Sequence, residues 1–208
     1  PRMPEGSVIV QAPETAQRLV LLFHGVGSSA DHLAPLGQAL AAVAPDAMVV
    51  SVNAPHPSAL GSGREWFSVV GVTEQDRPAR IAQAMPLYRD AVAHWQQRAG
   101  VSAAHTALVG FSQGAIMALE STQTAQALPA ARVVSLAGRL ATPARNAPAG
   151  VRYHLIHGAQ DGVIDARHAQ QAASELQALG ATVTLDLLQG LGHAIDAREV
   201  QLLRGYLG

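Results

Sequence analysis

The chain predicts an α/β architecture, a mostly parallel central sheet with helices on both faces. Two observations carry this. Short apolar runs alternate with longer amphipathic stretches, the pattern of a parallel sheet covered by helices. In addition, Gly110-Phe111-Ser112-Gln113-Gly114 lies between a strand-like run, Thr106 to Val109, and a helix-like run that starts at Ala115. At 208 residues one domain, 1–208, is expected, and it is long enough to bury a core.

The elements follow in order. Val8-Ile9-Val10 reads as a short strand at a sheet edge. Leu19 to Phe23 is apolar without interruption, as a strand buried on both faces must be. His32 to Val43 has helical character, with Asp31 as its N-cap. Met48 to Val52 is the next strand. Pro55, Pro57, Gly61 and Gly63 make residues 53–65 a loop. Ala79 to Arg98 is a long helix that Gly100 ends. Thr106 to Val109 is a strand and Ala115 to Gln123 a helix. Arg132 to Leu136 and Tyr153 to Ile156 are strands, and residues 141–150 between them form a surface loop. Asp165 to Leu179 is a helix closed by Gly180. Thr182 to Leu187 is the last strand, and the C-terminal helix begins near Ala194 or Ile195. No internal repeat or linker interrupts this order. Pro1 to Pro4 carry no expectation.

Composition narrows the function classes. Apolar residues make up 49% and charged residues 14%, as in a compact folded protein. The formal net charge is −1, which suggests neither a nucleic-acid surface nor a basic membrane patch. There is no cysteine, so there is no disulfide framework and no thiol nucleophile, which fits a cytoplasmic location. No run approaches the length of a membrane span, and the N-terminal residues lack a basic-then-apolar signal pattern. The expected partner is a small molecule. Monomer and homodimer stay equally open.

The run from Gly110 to Gly114 is G-x-S-x-G in a strand–turn–helix setting, the nucleophile elbow of a serine hydrolase. Its chemistry explains its letters. The turn holds the serine in a strained, positive-φ conformation, and strand and helix close together on either side. Side chains at the flanking positions would collide, so both favour glycine. The turn lifts the Ser112 hydroxyl clear of the sheet and leaves the Gln113 N–H at a helix N-terminus, aimed where an oxyanion would form.

A serine hydroxyl needs a base, and the base needs an orienting acid. In α/β-hydrolases they follow the serine in the order acid, then histidine, each on a loop after a strand. Asp161 lies on the loop after Tyr153 to Ile156, in His157-Gly158-Ala159-Gln160-Asp161. His193 lies at the tip of Gln189-Gly190-Leu191-Gly192-His193 after the last strand. Both are expected at the same sheet edge as Ser112. The bland alternatives are a turn for Asp161-Gly162 and a helix start for His193. Asp165 reads as a helix cap, Asp186 lies inside a strand, and His157 suits a structural hydrogen bond. His154 and His157 fall on opposite strand faces, so no metal site is expected.

The second oxyanion donor should come from the loop after an early strand. His24-Gly25-Val26-Gly27 is that loop, and the Val26 N–H is the candidate. The same stretch, Gly25 to Ala30, also fits a dinucleotide fingerprint. A Rossmann site wants an acidic residue at the end of the next strand, where this chain has Asn53. Asp46 has the spacing but lies at the wrong end of that strand. Trp66 and Phe67, beside the Pro/Gly-rich loop, are candidates for an apolar wall of an acyl pocket, with core packing as the bland alternative. Val163 and Leu191 could add to the wall.

These residues resemble a known group. Leu22-Phe23-His24-Gly25-Val26-Gly27, Arg64-Glu65-Trp66-Phe67, Gly110-Phe111-Ser112-Gln113-Gly114-Ala115, His157-Gly158-Ala159-Gln160-Asp161 and Gly192-His193-Ala194-Ile195 are similar, in order, to the phospholipase/carboxylesterase family. That family includes small bacterial carboxylesterases and acyl-protein thioesterases. The resemblance implies an α/β-hydrolase fold without a large lid, a Ser112–Asp161–His193 triad and an oxyanion hole from Val26 and Gln113. It implies hydrolysis of short to medium acyl esters through an acyl-enzyme, with no cofactor. An acyl-protein thioesterase or lysophospholipase-type hydrolase is the alternative. From another class, a non-catalytic ligand-binding protein could keep the fold, but the intact Ser, Asp and His argue against it. Two positions depart from the family pattern: Val26 stands where Leu is common, and Ser68 where Asp often follows Trp-Phe.

Overall fold

The computed structural model describes residues 6–124 and 127–208. Pro1 to Pro4 lie outside the described residues. The chain folds as β1 (Val8–Gln11), β2 (Arg18–Phe23), α1 (Ala30–Ala41), β3 (Ala47–Val52), β4 (His56–Pro57), β5 (Arg64–Glu65), α2 (Arg77–Ala99), β6 (Thr106–Phe111), α3 (Gln113–Glu120), β7 (Arg132–Leu136), β8 (Arg152–Gly158), α4 (Arg167–Ala178), β9 (Thr182–Leu188) and α5 (Ala197–Leu207). The main sheet has seven strands in the order β1-β3-β2-β6-β7-β8-β9. Only β1 is antiparallel, paired at the edge with β3. This is the mostly parallel α/β-hydrolase sheet the sequence predicts.

Alternate residues of each central strand serve opposite layers, as a period of two requires. Leu19, Leu21, Phe23, Met48, Val50 and Val52 face a core shared with Ile81, Met85 and Tyr88 of α2, Ile116 of α3 and Leu176 of α4. Val20, Leu22, Val49 and Val109 face the opposite core with Leu33, Leu36 and Leu40 of α1 and Leu203 and Leu207 of α5. The continuous apolar run at Leu19 to Phe23 is thus explained by helices on both sides.

The order of strands places the site. After β2 the chain moves outward to β3, then returns to lay β6 on the other side of β2. The sheet therefore reverses its winding between β2 and β6, and their carboxyl ends open a crevice at that point. Phe23 and Gly110 are register partners there. Ser112 and the loop containing Val26 leave the sheet from these two adjacent strands. The connection over residues 53–76 contains only the short antiparallel pair β4–β5. Among the described residues, no helix is long and apolar enough to cross a membrane.

Several boundaries differ from expectation, each for a local reason. α1 begins at Ala30, and Ser29 rather than Asp31 is its N-cap. No side chain caps it locally; instead the Ala30 N–H donates to Asn53 Oδ1 at 3.1 Å, a partner 23 residues away. β6 runs on through Gly110 and Phe111, and α3 starts at Gln113, so Ser112 alone makes the turn. α3 also ends three residues early, at Glu120, where the Ser121 and Thr122 hydroxyls bond back to the Ala118 and Leu119 carbonyls. α5 begins at Ala197, later than Ala194 or Ile195. Asp196 caps it and Glu199 bonds back to the Asp196 N–H, a capping box written in the sequence as D-x-x-E. Gly100 ends α2 in the left-handed conformation, φ 67°, as expected.

Two glycines test this packing in opposite directions. A Cβ on Gly114 would lie 2.1 Å from the Phe23 carbonyl oxygen, whereas one on Gly205, inside α5, would meet nothing within 4 Å. Gly114→Ala is expected to cost about 3 kcal/mol or more, the upper range of overpacking. Gly205→Ala should stabilise by roughly 0.5–1 kcal/mol through helix propensity. Urea unfolding of both variants measures the two shifts; equal shifts would contradict the packing described.

Candidate active site

Ser112 is held in a conformation it would not choose. Its φ is 54° and its ψ −114°, a region that costs a non-glycine residue on the order of 1–3 kcal/mol. Two backbone bonds hold it there. The Ser112 N–H donates to the Leu136 carbonyl at 2.8 Å, and the Ser112 carbonyl accepts the Ile116 N–H at 3.0 Å. The flanking glycines answer to contact. A Cβ on Gly110 would lie 2.4 Å from the Ala115 nitrogen, which matches the clash already noted at Gly114.

The other two loops also meet backbone to backbone. A Cβ on Gly158 would lie 2.3 Å from the Leu191 carbonyl oxygen and 2.4 Å from that of Gly192. The Gln160 N–H donates to the Leu191 carbonyl at 3.0 Å. This approach brings the side chains into line. His193 Nδ1 is 2.8 Å from Asp161 Oδ2, and His193 Nε2 is 2.9 Å from Ser112 Oγ. An ionised carboxylate only accepts, so Nδ1 carries the proton and Nε2 is left to accept from the serine hydroxyl. The Asp161 side chain is fully buried. Its Oδ1 accepts the Val163 and Ile164 N–H groups at 2.8 and 2.9 Å. Burial pushes this carboxyl up, but the bonds from His193, Ile164 and Val163 together outweigh it and hold it below the ordinary carboxylate range.

The backbone around Ser112 offers two donors. Gln113 is the first residue of α3, so its N–H projects from the helix end. Val26 follows Gly25, and a Cβ on Gly25 would lie 3.4 Å from Ser112 Cβ and from the Phe111 ring. Among the described residues, neither N–H donates to a backbone carbonyl. His24, buried beneath this loop, accepts the Ala54 N–H at Nε2, 3.0 Å away, and donates from Nδ1 to the Gly25 carbonyl at 2.7 Å. Desolvation lowers the pKa of this ring, in keeping with the neutral tautomer those bonds require.

A cavity of about 460 Å³ opens over Ser112 and His193. Val26, Leu33, Phe111, Val163 and Ile195 supply its apolar lining, and Ser28 and His32 a polar corner. Of the four expected wall residues only Val163 lines it, at the rim, 72% exposed. Trp66 is a core residue, packed against Tyr88 and Phe23 at ring distances of 5.1 and 6.4 Å. Phe67 borders a separate groove with His56 and Arg80, and Leu191 is buried where its carbonyl meets the Asp161 loop. The Trp66 backbone N–H donates to the Gln113 side chain, and the indole packs into the α2 layer rather than the cleft. Phe111, whose ring lies 5.1 Å from that of His193, was not singled out from the sequence; its place inside the G-x-S-x-G run was the available signal.

The competing residues are elsewhere employed. His157 Nε2 donates to the Ile164 carbonyl at 2.7 Å, and His154 bonds Thr184 and stacks on Tyr206 at 3.9 Å. Asp165 Oδ1 accepts the Arg167 N–H at the start of α4, and Asp186 accepts from Tyr206. Asn53, where a ribose-binding carboxylate would stand, is bonded to the first turn of α1. Ser68 accepts the Val70 N–H in a local turn. No group of three or more potential metal ligands occurs among the described residues.

A serine, an imidazole and a buried carboxylate in line, at the carboxyl edge of a mostly parallel sheet, define a serine hydrolase of the α/β type. Comparison with known proteins agrees. A family model described as phospholipase/carboxylesterase matches residues 4–208, and the chain belongs to that family. It is 46% identical over 206 residues to Esterase YpfH of Escherichia coli (strain K12), covering 99% of this chain and 88% of that one. Among solved structures it is similar to esterase PE8, with a TM-score of 0.88, 30% identity, and 99% and 98% of the two chains covered. It shares its fold with Zea mays acyl-protein thioesterase 2, with a TM-score of 0.74, 22% identity, and 97% and 99% covered.

Glu199 lies behind the site with 1% of its surface exposed. Desolvation, with help from the nearby charges of Asp196 and Asp161, raises its pKa from 4.5 to about 7. A raised folded-state value means the protonated carboxyl favours the fold below about pH 4.5, and that this contribution is lost as pH rises through 7. Glu199→Gln, which preserves the capping box, should therefore match wild type in stability near pH 5. It should exceed wild type near pH 9 by on the order of 1–3 kcal/mol, at about 1.4 kcal/mol per pKa unit. Unfolding midpoints at the two pH values check this; a pH-independent difference would remove Glu199 from the account.

Proposed function

We propose that this protein is a carboxylesterase that hydrolyses short to medium acyl esters through an acyl-enzyme on Ser112. The observation that carries it is the Ser112–His193–Asp161 relay, with spacings of 2.9 and 2.8 Å, beneath a serine strained at an elbow. Ser112 Oγ attacks the ester carbonyl carbon while His193 Nε2 takes its proton. The carbonyl electron pair moves onto oxygen, facing the Val26 and Gln113 N–H groups. The pair returns, the C–O bond to the alcohol breaks, and His193 protonates the leaving alkoxide. Water, deprotonated by His193, then attacks the acyl-enzyme and releases the acid. Asp161 keeps the His193 proton on Nδ1 and stabilises the imidazolium that forms in each half.

The acyl range is inferred from the cleft. Its volume of about 460 Å³ suits a small ligand, and apolar side chains line it. The 46% identity to an esterase supports ester hydrolysis, while the family accommodates thioester hydrolysis as the alternative. The same features support a single catalytic domain acting on a small-molecule ester, and the absence of cysteine fits a cytoplasmic enzyme.

Ser112→Ala should lose on the order of 10³-fold or more in turnover and all labelling by a fluorophosphonate. Asp161→Asn should lose about 10⁴-fold, because the amide favours the wrong His193 tautomer. Ester hydrolysis at the wild-type rate in Ser112→Ala would sink the assignment. Across p-nitrophenyl esters of increasing chain length, kcat/KM should peak at short to medium acyl groups. A rise continuing to palmitoyl, or higher kcat/KM for matched thioesters, would favour the thioesterase alternative.

A further inference from the structure

The mechanism uses only the backbone of Gln113, yet its side chain is 2% exposed and fully engaged. Its Oε1 accepts the Trp66 N–H at 2.8 Å, and its Nε2 donates to the Phe67 carbonyl at 2.9 Å. One partner can only donate and the other only accept, so the amide orientation is determined. A carboxamide offers an acceptor and a donor side by side at every pH, as a carboxyl does only when protonated. Burying such a group is costly unless both bonds form.

The segment it grips leads directly to the other oxyanion donor. Two residues before Trp66, the Arg64 N–H donates to the Ser28 carbonyl at 2.8 Å, and the Arg64 carbonyl accepts the Gly27 N–H at 3.0 Å. Gly27 and Ser28 follow Val26 in the chain. The Arg64 side chain adds a second tie, from Nε to the Ala54 carbonyl at 3.0 Å and from Nη2 to the Pro55 carbonyl at 2.7 Å. Ala54 in turn donates to His24, which donates to the Gly25 carbonyl. The strap 64–67 is thus hydrogen-bonded to the elbow at one end and, at the other, directly to Gly27 and Ser28 after Val26 and through Ala54 and His24 to Gly25 before it.

We propose that the Gln113 carboxamide is a positioning group for the oxyanion hole. Through the strap 64–67 it holds the loop of Val26 in register with the elbow, so that one side chain aligns both N–H donors. This rests on the esterase reading above. Oxyanion donors act only when placed for the developing charge, and loss of one costs about 10²–10³-fold in turnover. A misplacement of about 1 Å costs on the order of 10²-fold. A carboxamide that merely stabilised the loop would alter the unfolding midpoint and leave turnover unchanged.

The test compares Gln113→Glu, Gln113→Met and Arg64→Met with wild type. Gln113→Glu keeps the acceptor and size and is assayed at alkaline pH, where its carboxyl ionises and can no longer donate to the Phe67 carbonyl. Arg64→Met loosens the far end of the strap without touching the elbow. Each is assayed for ester hydrolysis, for inhibition by an acyl trifluoromethyl ketone, and for inhibition by the matching methyl ketone. The first ketone adds Ser112 Oγ to its carbonyl carbon, and the resulting oxyanion occupies the hole while His193 keeps the proton. The methyl ketone binds without appreciable addition. In both Gln113 variants kcat should fall about 10- to 100-fold with KM nearly unchanged. Trifluoromethyl ketone affinity should fall in parallel with kcat/KM while methyl ketone affinity holds. Arg64→Met should shift in the same direction, and the Gln113→Met/Arg64→Met double variant should lose less than the product of the single losses. Folded variants with wild-type kcat, equal losses for both ketones, or multiplying losses would each overturn the proposal. If the Gln113 variants do not fold, Arg64→Met decides it on the two ketones. A wild-type protein that neither hydrolyses esters nor labels with fluorophosphonate would instead overturn the esterase reading.

Discussion

The approach of the elbow to the neighbouring strand is the constraint on which the rest depends. α3 can start directly behind Ser112 only because its second residue has no side chain to drive into the Phe23 carbonyl. That close approach goes with the sharp turn in which Ser112 takes its positive φ, held by its bonds to Leu136 and Ile116. The same device recurs where the loops of Asp161 and His193 touch at Gly158. Side-chain geometry at the site is therefore inherited from backbone packing. The hydrogen bonds of 2.8 and 2.9 Å are the last consequence of that packing, not its cause.

Buried charge is rationed around this arrangement. Asp161 has four acceptor positions, and two backbone N–H groups and His193 occupy three of them; the His157 ring stands 3.4 Å from Oδ2. The carboxylate can thus stay ionised without water. Glu199 is close enough to feel that charge, and it holds its own proton up to about pH 7. A second ionised carboxylate there would add like-charge repulsion to the buried Asp161.

Much of this was legible in the chain because it depends on local chemistry. The elbow glycines, the uninterrupted run at Leu19 to Phe23 and the strand-end positions of Asp161 and His193 each state a steric or topological requirement that no distant residue can relax. What was not legible depends on distant partners. Asp31 looked like a cap because it is the acidic residue at the helix start; the true partner of the Ala30 N–H, Asn53, lies at the end of the next strand. Trp66 looked like a pocket wall because it adjoins a loop, and only its packing on Phe23 and Tyr88, distant in the chain, shows which way its ring turns. The start of α5 is a different case. The D-x-x-E signal at Asp196 to Glu199 is present in the sequence and marks the true start, two or three residues after Ala194 and Ile195.

The adjacency of β2 and β6 has a wider consequence. The two proposed oxyanion donors hang from strands joined by ladder bonds, so their spacing is tied to a repeat of about 4.8 Å that every parallel sheet shares. Apolar side chains that line the cleft, Leu33, Val163 and Ile195, sit on helix α1 and on loops outside that ladder. Mutational drift in those walls can change which esters are accepted while the reaction geometry stays put. A lineage built on this plan can exchange substrates faster than it can lose its chemistry.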